Sequence, residues 1–373
     1  MKLTILIVGL GGLGSVLLEL LARSSLSCRL IAGSRNRLHG TACCNLAKLG
    51  AQAQGYDPDI DFIHLDLDEH QATIKTIQSI SPNIIVCTAT RQSWWLPRQL
   101  PAPQASRFKS AGFGLWLPLH LSLPTALMRI LHSADYRGLT LIAPFPDVVN
   151  CILDRRGLSP TCGIGNVDEI ATKVRGLAAV KLGAPIDEVT VALVGHHALE
   201  KCAFDGSSEA VPYFLRVEHN GRDVTKEVKA EELLMKPFSL PEGPPTHFLT
   251  AGSAVRLITA LGSDRSVRLH APGPNGLPGG YPILASMSGV TVPEVAGLSL
   301  SDAIHINEES HEFDGIERIE KDGSVVFTEN VVTAARDELG FNCRRLEPDE
   351  IETRAQELLS KFQEYAKGFG MVL

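Results

Sequence analysis

Ile5-Leu6-Ile7-Val8-Gly9-Leu10-Gly11-Gly12-Leu13-Gly14, residues 5–14, is the stretch whose reading decides the fold. The apolar run from Leu3 to Val8 does not alternate, as expected of a parallel strand covered on both faces. Gly9, Gly11 and Gly14 follow it in G-x-G-x-x-G spacing. Gly9 permits a tight turn, Gly11 lets backbone approach a pyrophosphate, and Gly14 lets the next helix pack on the strand. That helix, expected over residues 13–23 and apolar at Val16, Leu17, Leu20 and Leu21, aims its N-terminal amides at the phosphates. A glycine pattern alone is weak evidence. With this strand before it and this helix after it, Gly9, Gly11, Gly12, Leu13 and Gly14 are expected to bind a dinucleotide, against a purely structural glycine turn.

The next strand, Arg29-Leu30-Ile31-Ala32-Gly33, ends in Ser34-Arg35-Asn36-Arg37. An NAD site places an acid near here to accept from the ribose 2′-hydroxyl, and no acid occurs between Glu19 and Asp57. Ser34, Arg35, Asn36 and Arg37 instead offer charge-assisted donors to a 2′-phosphate, so NADP(H) is expected over NAD(H). A solvated basic loop is the competing reading.

The chain has 373 residues, beyond the usual size of one core, and two domains are expected, 1–150 and 151–373. Apolar content of 44% and charged content of 21% are those of an ordinary globular protein. Met1-Lys2 leads straight into the first strand, which argues against a signal peptide, and no membrane partner is expected. A net charge of −7 argues against nonspecific nucleic-acid binding. Eight scattered cysteines with no C-x-x-C pair read as reduced, cytoplasmic residues, with Cys43 and Cys44 as packing, and no metal is expected.

Further strands are expected at 61–65, 83–87 and 139–143, with helices at 41–49, 69–80 and 119–132 between them. This alternation implies an α/β fold, a doubly wound parallel sheet followed by a mixed α+β second domain. Ligands in such sheets lie beyond the strand C-termini, so Thr88, Ala89 and Thr90 are expected to face the cofactor. Residues 92–118, with Trp94, Trp95, Pro97, Pro101 and Pro103, read as an irregular active-site cover, and Arg98 and Arg107 within it and Arg91 just before it are candidates for holding a substrate. In the second half, a hairpin is expected at Asn220-Gly221, helices at 225–235, 247–261 and 349–367, a Gly/Pro-rich loop at 271–281, and a hairpin turning at Lys321-Asp322-Gly323.

The run Pro144-Phe145-Pro146-Asp147-Val148-Val149, followed by GIGNVDEIATKVRGLAAVKLGAPIDEVTVALVGHHA from Gly163 to Ala198, resembles the lactate/malate dehydrogenase superfamily. In that family a strand ending in Asn-Pro-x-Asp precedes Gly-(Thr)-x-Leu-Asp, a long helix ending in Leu-Gly, and a strand ending in Gly-Glu-His-Gly. Gly315-Ile316-Glu317-Arg318-Ile319 is similar to a further family segment ahead of the C-terminal helix. The resemblance implies His197 as the catalytic acid/base and Asp168 as the carboxylate that orients it. It also implies a substrate pocket lined by Asn166, by His196 in place of the usual glutamate, and by Thr250 and Ser253. The departures are specific. Ala171 stands where the family has an arginine for the substrate carboxylate, Pro144 stands where it has asparagine, and Thr172 and Arg175 are only partial substitutes on the face of Asp168.

Three functions follow. The first is an NADP-dependent dehydrogenase, a cytoplasmic homodimer, reducing the carbonyl of a small-molecule oxo acid. The second is imine reduction of the opine or saccharopine kind, since the Ser34-Arg35-Asn36 loop and the 65–86 layout also resemble saccharopine-type NADP domains. The third is a non-catalytic NADP sensor, which needs neither His197 nor Asp168. The glycine run also resembles enzymes that adenylate ubiquitin-like proteins, but the Asp-x-Asp after the second strand and the paired zinc cysteines of those enzymes are missing.

Overall fold

The computed structural model describes residues 2–371; Met1, with which the no-leader reading and the first expected domain begin, and residues 372 and 373 of the second lie outside the described residues. In chain order the first half contains β1 (Leu3–Val8), α1 (Gly12–Ala22), β2 (Cys28–Ser34), α2 (Arg37–Gln52), β3 (Asp59–His64), α3 (His70–Ile80) and β4 (Ile84–Cys87). It continues with α4 (Ala102–Ala111), α5 (Leu117–Ser133), β5 (Leu139–Ile142), α6 (Pro146–Asp154) and β6 (Cys162–Gly163). The six strands form one parallel sheet in the order β3-β2-β1-β4-β5-β6, with Ile5 in register with Leu30 on one side and Ile84 on the other. The strand order reverses between β1 and β4. A crevice opens there beyond the strand ends, and the glycine turn lies in it. Ile5, Leu6 and Ile7 are fully buried, which is why the first strand lacks alternation.

This sheet continues to Gly163, so residue 150 falls inside α6, the crossover that returns the chain to lay β6 beside β5. The second half follows with α7 (Val167–Leu182), β7 (Val189–Gly195), α8 (Leu199–Asp205), β8 (Tyr213–His219), β9 (Arg222–Asp223), α9 (Ala230–Met235) and α10 (His247–Leu261). Next come β10 (Val267–Pro272), β11 (Gly280–Ser286), β12 (Gly289–Thr291), α11 (Leu300–Glu309), β13 (Ile316–Ile319), β14 (Val325–Phe327), α12 (Glu329–Leu339), β15 (Arg345–Leu346) and α13 (Ile351–Lys367). An antiparallel sheet runs β10-β11-β7-β8-β9, with β12 on β11, and a small sheet joins β13, β14 and β15.

The halves share their cores. Helix α10 packs along α1, and α13 returns to α5, burying Leu358 and Phe362. Phe362 meets Trp116 edge-on at 5.1 Å, and Leu6, Val8, Ile316 and Phe327 belong to the same apolar cluster. The apolar residues Ile351, Ala355, Leu358 and Phe362 of the last helix are therefore core.

Two expected segments fold differently. Residues 92–118 carry the ten-residue α4 and two 3₁₀ turns, because Pro97 and Pro103 occupy the first turns of helices, where a missing N–H costs nothing. The helix expected over 225–235 is confined to α9, because Lys229 at φ 49° takes the left-handed conformation immediately before it.

Candidate active site

One cleft of about 1120 Å³ runs from the glycine turn to His197. At the first end, Gly9 sits at φ +100°, and a Cβ there would lie 2.8 Å from the Ala89 backbone nitrogen. A Cβ on Gly14 would overlap the Gly9 carbonyl and lie 2.7 Å from Thr88 Oγ1. The Thr88 hydroxyl donates to that carbonyl at 2.7 Å, so it fastens the turn. A Cβ on Gly11 would meet no atom within 4 Å, leaving open space before the uncapped start of α1. Gly12, Leu13, Ser34, Arg35, Ala89 and Thr90 also line the cleft. Asn36 does not: its side chain accepts from the His39 N–H and caps α2, whose first residue is the exposed Arg37. Asp66 and Asp68 line this end as well, with Asp66 accepting from the Asp68 N–H and Asp68 from Arg91.

At the other end, β7 delivers His197. Its Nδ1 is 2.7 Å from Asp314 Oδ2, its backbone N–H donates to Asp147 Oδ1 at 3.0 Å, and Asn166 donates to the other oxygen of Asp147. The ring stands between Phe113 and Phe145, with centroids at 4.9 and 5.1 Å, and Nε2 lies 4.0 Å from Glu200. Burial alone would lower the His197 pKa, but the Asp314 carboxylate overrides it and raises the value to about 9. Asp314 is fully buried, which favours its neutral form, yet His197 and His196 hold it well below the usual carboxylate range. Burial pushes Asp147 up.

The structure does not bring Asp168 to His197. Asp168 accepts from the His270 N–H at 3.3 Å and lies 3.6 Å from Arg256, on the side of α7 facing α10 and β10. Burial raises its pKa, and Arg256 and the Ser253 hydroxyl lower it. Adjacent residues on a helix point about 100° apart. Consequently Glu169 is the acid of this pair that lines the cleft, where burial and then Glu200 raise its pKa to about 8 against a smaller lowering by the Thr250 hydroxyl. Thr172 accepts from Arg256 at 3.2 Å, and Arg175 lies close enough to Arg256 to feel its charge. Neither replaces the arginine missing at Ala171, since both belong to the Asp168 face.

The other expected substrate residues divide. Arg98 lines the cleft, exposed, with its guanidinium 4.7 Å over the Trp94 ring. Arg91 also lines it but donates to Ser122, Asp68 and Glu352, so it ties α13 to the first half. Arg107 pairs with Glu338 at 2.5 Å. His196 is buried behind the site, with Nδ1 3.3 Å from Asp314, rather than lining the cleft. Thr250 lines the cleft and Ser253 belongs with Asp168.

Sequence reasoning missed Asp314, Glu169, Glu200 and His120. His120 stacks on Phe113 at 5.0 Å and bonds Thr90 Oγ1 at 3.0 Å, and burial lowers its pKa to about 3. The one available signal for Asp314 was its position beside Gly315-Ile316-Glu317-Arg318-Ile319. Among the described residues no group of three or more His, Cys, Asp or Glu is arranged to hold a metal, and no helix is long and apolar enough to cross a membrane.

No protein-family model matches the sequence, and no curated protein matches it by sequence. Solved structures do match the fold. Malate dehydrogenase from Plasmodium falciparum is 15% identical with a TM-score of 0.57, over 83% of this chain and 96% of that one. Lactate dehydrogenase from Eimeria maxima with NADH and oxamate is 12% identical with a TM-score of 0.56, over 84% and 92%. Malate dehydrogenase from Cryptosporidium parvum is 14% identical with a TM-score of 0.56, over 84% and 97%. The chain thus has a lactate/malate dehydrogenase-like fold, a Rossmann sheet followed by a mixed second half.

Proposed function

We propose that this protein is an NADP-dependent oxidoreductase that reduces the carbonyl of an oxo acid to a secondary alcohol, with His197 as proton donor and Asp314 as its orienting carboxylate. The observation that carries the reading is the buried Asp314 on His197 Nδ1, in a cleft continuous with the glycine turn. The turn fits a dinucleotide: Gly9 and Gly14 have no room for a Cβ, while the space at Gly11 is open. Gly11, Gly12 and Leu13 would hold the diphosphate, and Ser34 and Arg35 the 2′-phosphate. When bound, the nicotinamide supplies a hydride.

The protein's share is the proton. With a pKa of about 9, His197 is an imidazolium at neutral pH, ready to donate from Nε2 to the carbonyl oxygen. Asp314 fixes the ring through Nδ1–H and stabilises the cation until the proton leaves. Asp147 fixes the loop by accepting from the His197 N–H and from Asn166. Arg98, exposed in the cleft, would pair with a substrate carboxylate.

Glu200, 4.0 Å from His197 Nε2, favours the second reading, imine reduction, because a carboxyl group beside the proton donor can pair with a cationic nitrogen. Following NADPH oxidation with oxo acids alone, and then with oxo acid and amine together, separates them. Turnover with an oxo acid alone supports carbonyl reduction; turnover only with both supports C–N chemistry; and NADPH binding without turnover on either supports the sensor.

A second copy of the chain is the proposed partner. Leu38, Leu46 and Leu49 are exposed on one face of α2, and Val180 is exposed on α7. Light scattering is expected to give twice the 40.2 kDa chain mass, and a monomer at micromolar concentration contradicts it.

A further inference from the structure

We propose that His247, supplied by the second half of the chain, is a ligand for the diphosphate of the bound dinucleotide. The assignment rests on the dinucleotide reading above. His247 is the first residue of α10, which packs along α1. Gly262, just past the end of α10, lies against Leu26, just past the end of α1, so the helices run parallel and both N-termini meet at the cleft. The start of α1 brings unpaired N–H groups to that place; at α10 the preceding 3₁₀ turn already takes the His247 N–H, which donates to the Pro244 and Pro245 carbonyls, so α10 contributes its side chain.

The side chain is the independent observation. His247 is 7% exposed and lines the cleft, and its Nδ1 has no hydrogen-bond partner. A buried polar atom without a partner is uncommon because it forfeits solvation with no return. Its neighbour shows where it acts. A Cβ on Gly12 would lie 2.6 Å from His247 Cε1 and 2.7 Å from Nδ1. The G-x-G-x-x-G spacing leaves position 12 free to be any residue. Gly12 is glycine here because the His247 ring occupies the space a side chain would take. The ring and the Gly11-Gly12-Leu13 amides therefore border the same spot, where a diphosphate oxygen satisfies the orphaned nitrogen by accepting a hydrogen bond from Nδ1–H. The second half then contacts the cofactor as well as the substrate.

Isothermal titration of the full chain with NADPH, ADP-ribose and adenosine 2′-monophosphate tests this, because only the first two carry the diphosphate. His247→Phe is expected to weaken NADPH and ADP-ribose about tenfold, the scale of one lost hydrogen bond to an anion, and to leave adenosine 2′-monophosphate unchanged. His247→Asn, which keeps a donor, is expected to recover part of the loss. Equal ADP-ribose affinity in parent and His247→Phe overturns the assignment, as does parallel loss of all three ligands, the mark of a structural role. A parent that binds none of the three overturns the dinucleotide reading and the assignment with it.

Discussion

The two ends of the cleft are built in different ways. At the glycine turn, the backbone that must adopt a special shape is a contiguous run, Val8 to Gly14, and its constraints are steric: a positive φ at Gly9 and no room at Gly14. At His197 the parts come from five places, Phe113, Phe145 with Asp147, Asn166, the histidine itself, and Asp314, which lies 117 residues further along the chain. The constraints there are electrostatic, a cation and an anion stabilising each other out of water. A substitution at the first end should act on folding or cofactor affinity, whereas one at the second should act on turnover with the cofactor still bound.

The largest effect belongs to the second end. His197→Asn and Asp314→Asn are each expected to lower turnover by ~10²–10⁴ while NADPH still quenches protein fluorescence with the parent's affinity. Loss of NADPH binding in both would erase the distinction between the two ends. Next comes Arg35→Ala, expected to cost about 1.5–3 kcal/mol of NADPH affinity and none for NADH, by titration of both cofactors. Equal affinity of the parent for the two cofactors contradicts the NADP assignment.

Gly14→Ala and Gly11→Ala sharpen the comparison within the first end. The former forces overlap with the Gly9 carbonyl and is expected to lower urea stability by about 1–3 kcal/mol. The latter, at φ −74° with open space around it, is expected to keep stability and weaken only NADPH binding. The smallest effect is at Asp168→Asn, where turnover is expected to stay near that of the parent, because the carboxylate faces Arg256 and His270.

What could be read from the sequence follows the same division. Strand, glycine turn and helix are local patterns, and β1, α1 and the alternation that follows them emerge close to their expected limits, except α2, which runs from Arg37 to Gln52 rather than over 41–49. His197 was legible only as a strand-end histidine in a family-like run. Its partner was not, because Asp314 ends a 3₁₀ turn and carries no periodic signal. Asp168 took that place by resemblance; with α7 starting at Val167, the adjacent Glu169 takes the cleft side. The prolines of 97–103 make residues 92–118 look irregular in sequence, although a proline in a first turn starts a helix as readily as it ends one.

The most direct test of the central claim is the pH dependence of kcat/KM for NADPH oxidation in the parent, Asp314→Asn and Asp168→Asn. Reduction needs His197 protonated, so the parent rate is expected to be level through neutral pH and to fall above a pKa of about 9. Without the Asp314 charge, burial of the ring dominates, and in Asp314→Asn the fall is expected to begin below the ordinary histidine pKa of 6.5. Asp168→Asn should leave the parent profile in place. A falling limb that stays put in Asp314→Asn, or moves in Asp168→Asn instead, contradicts the pairing of His197 with Asp314 as the proton relay.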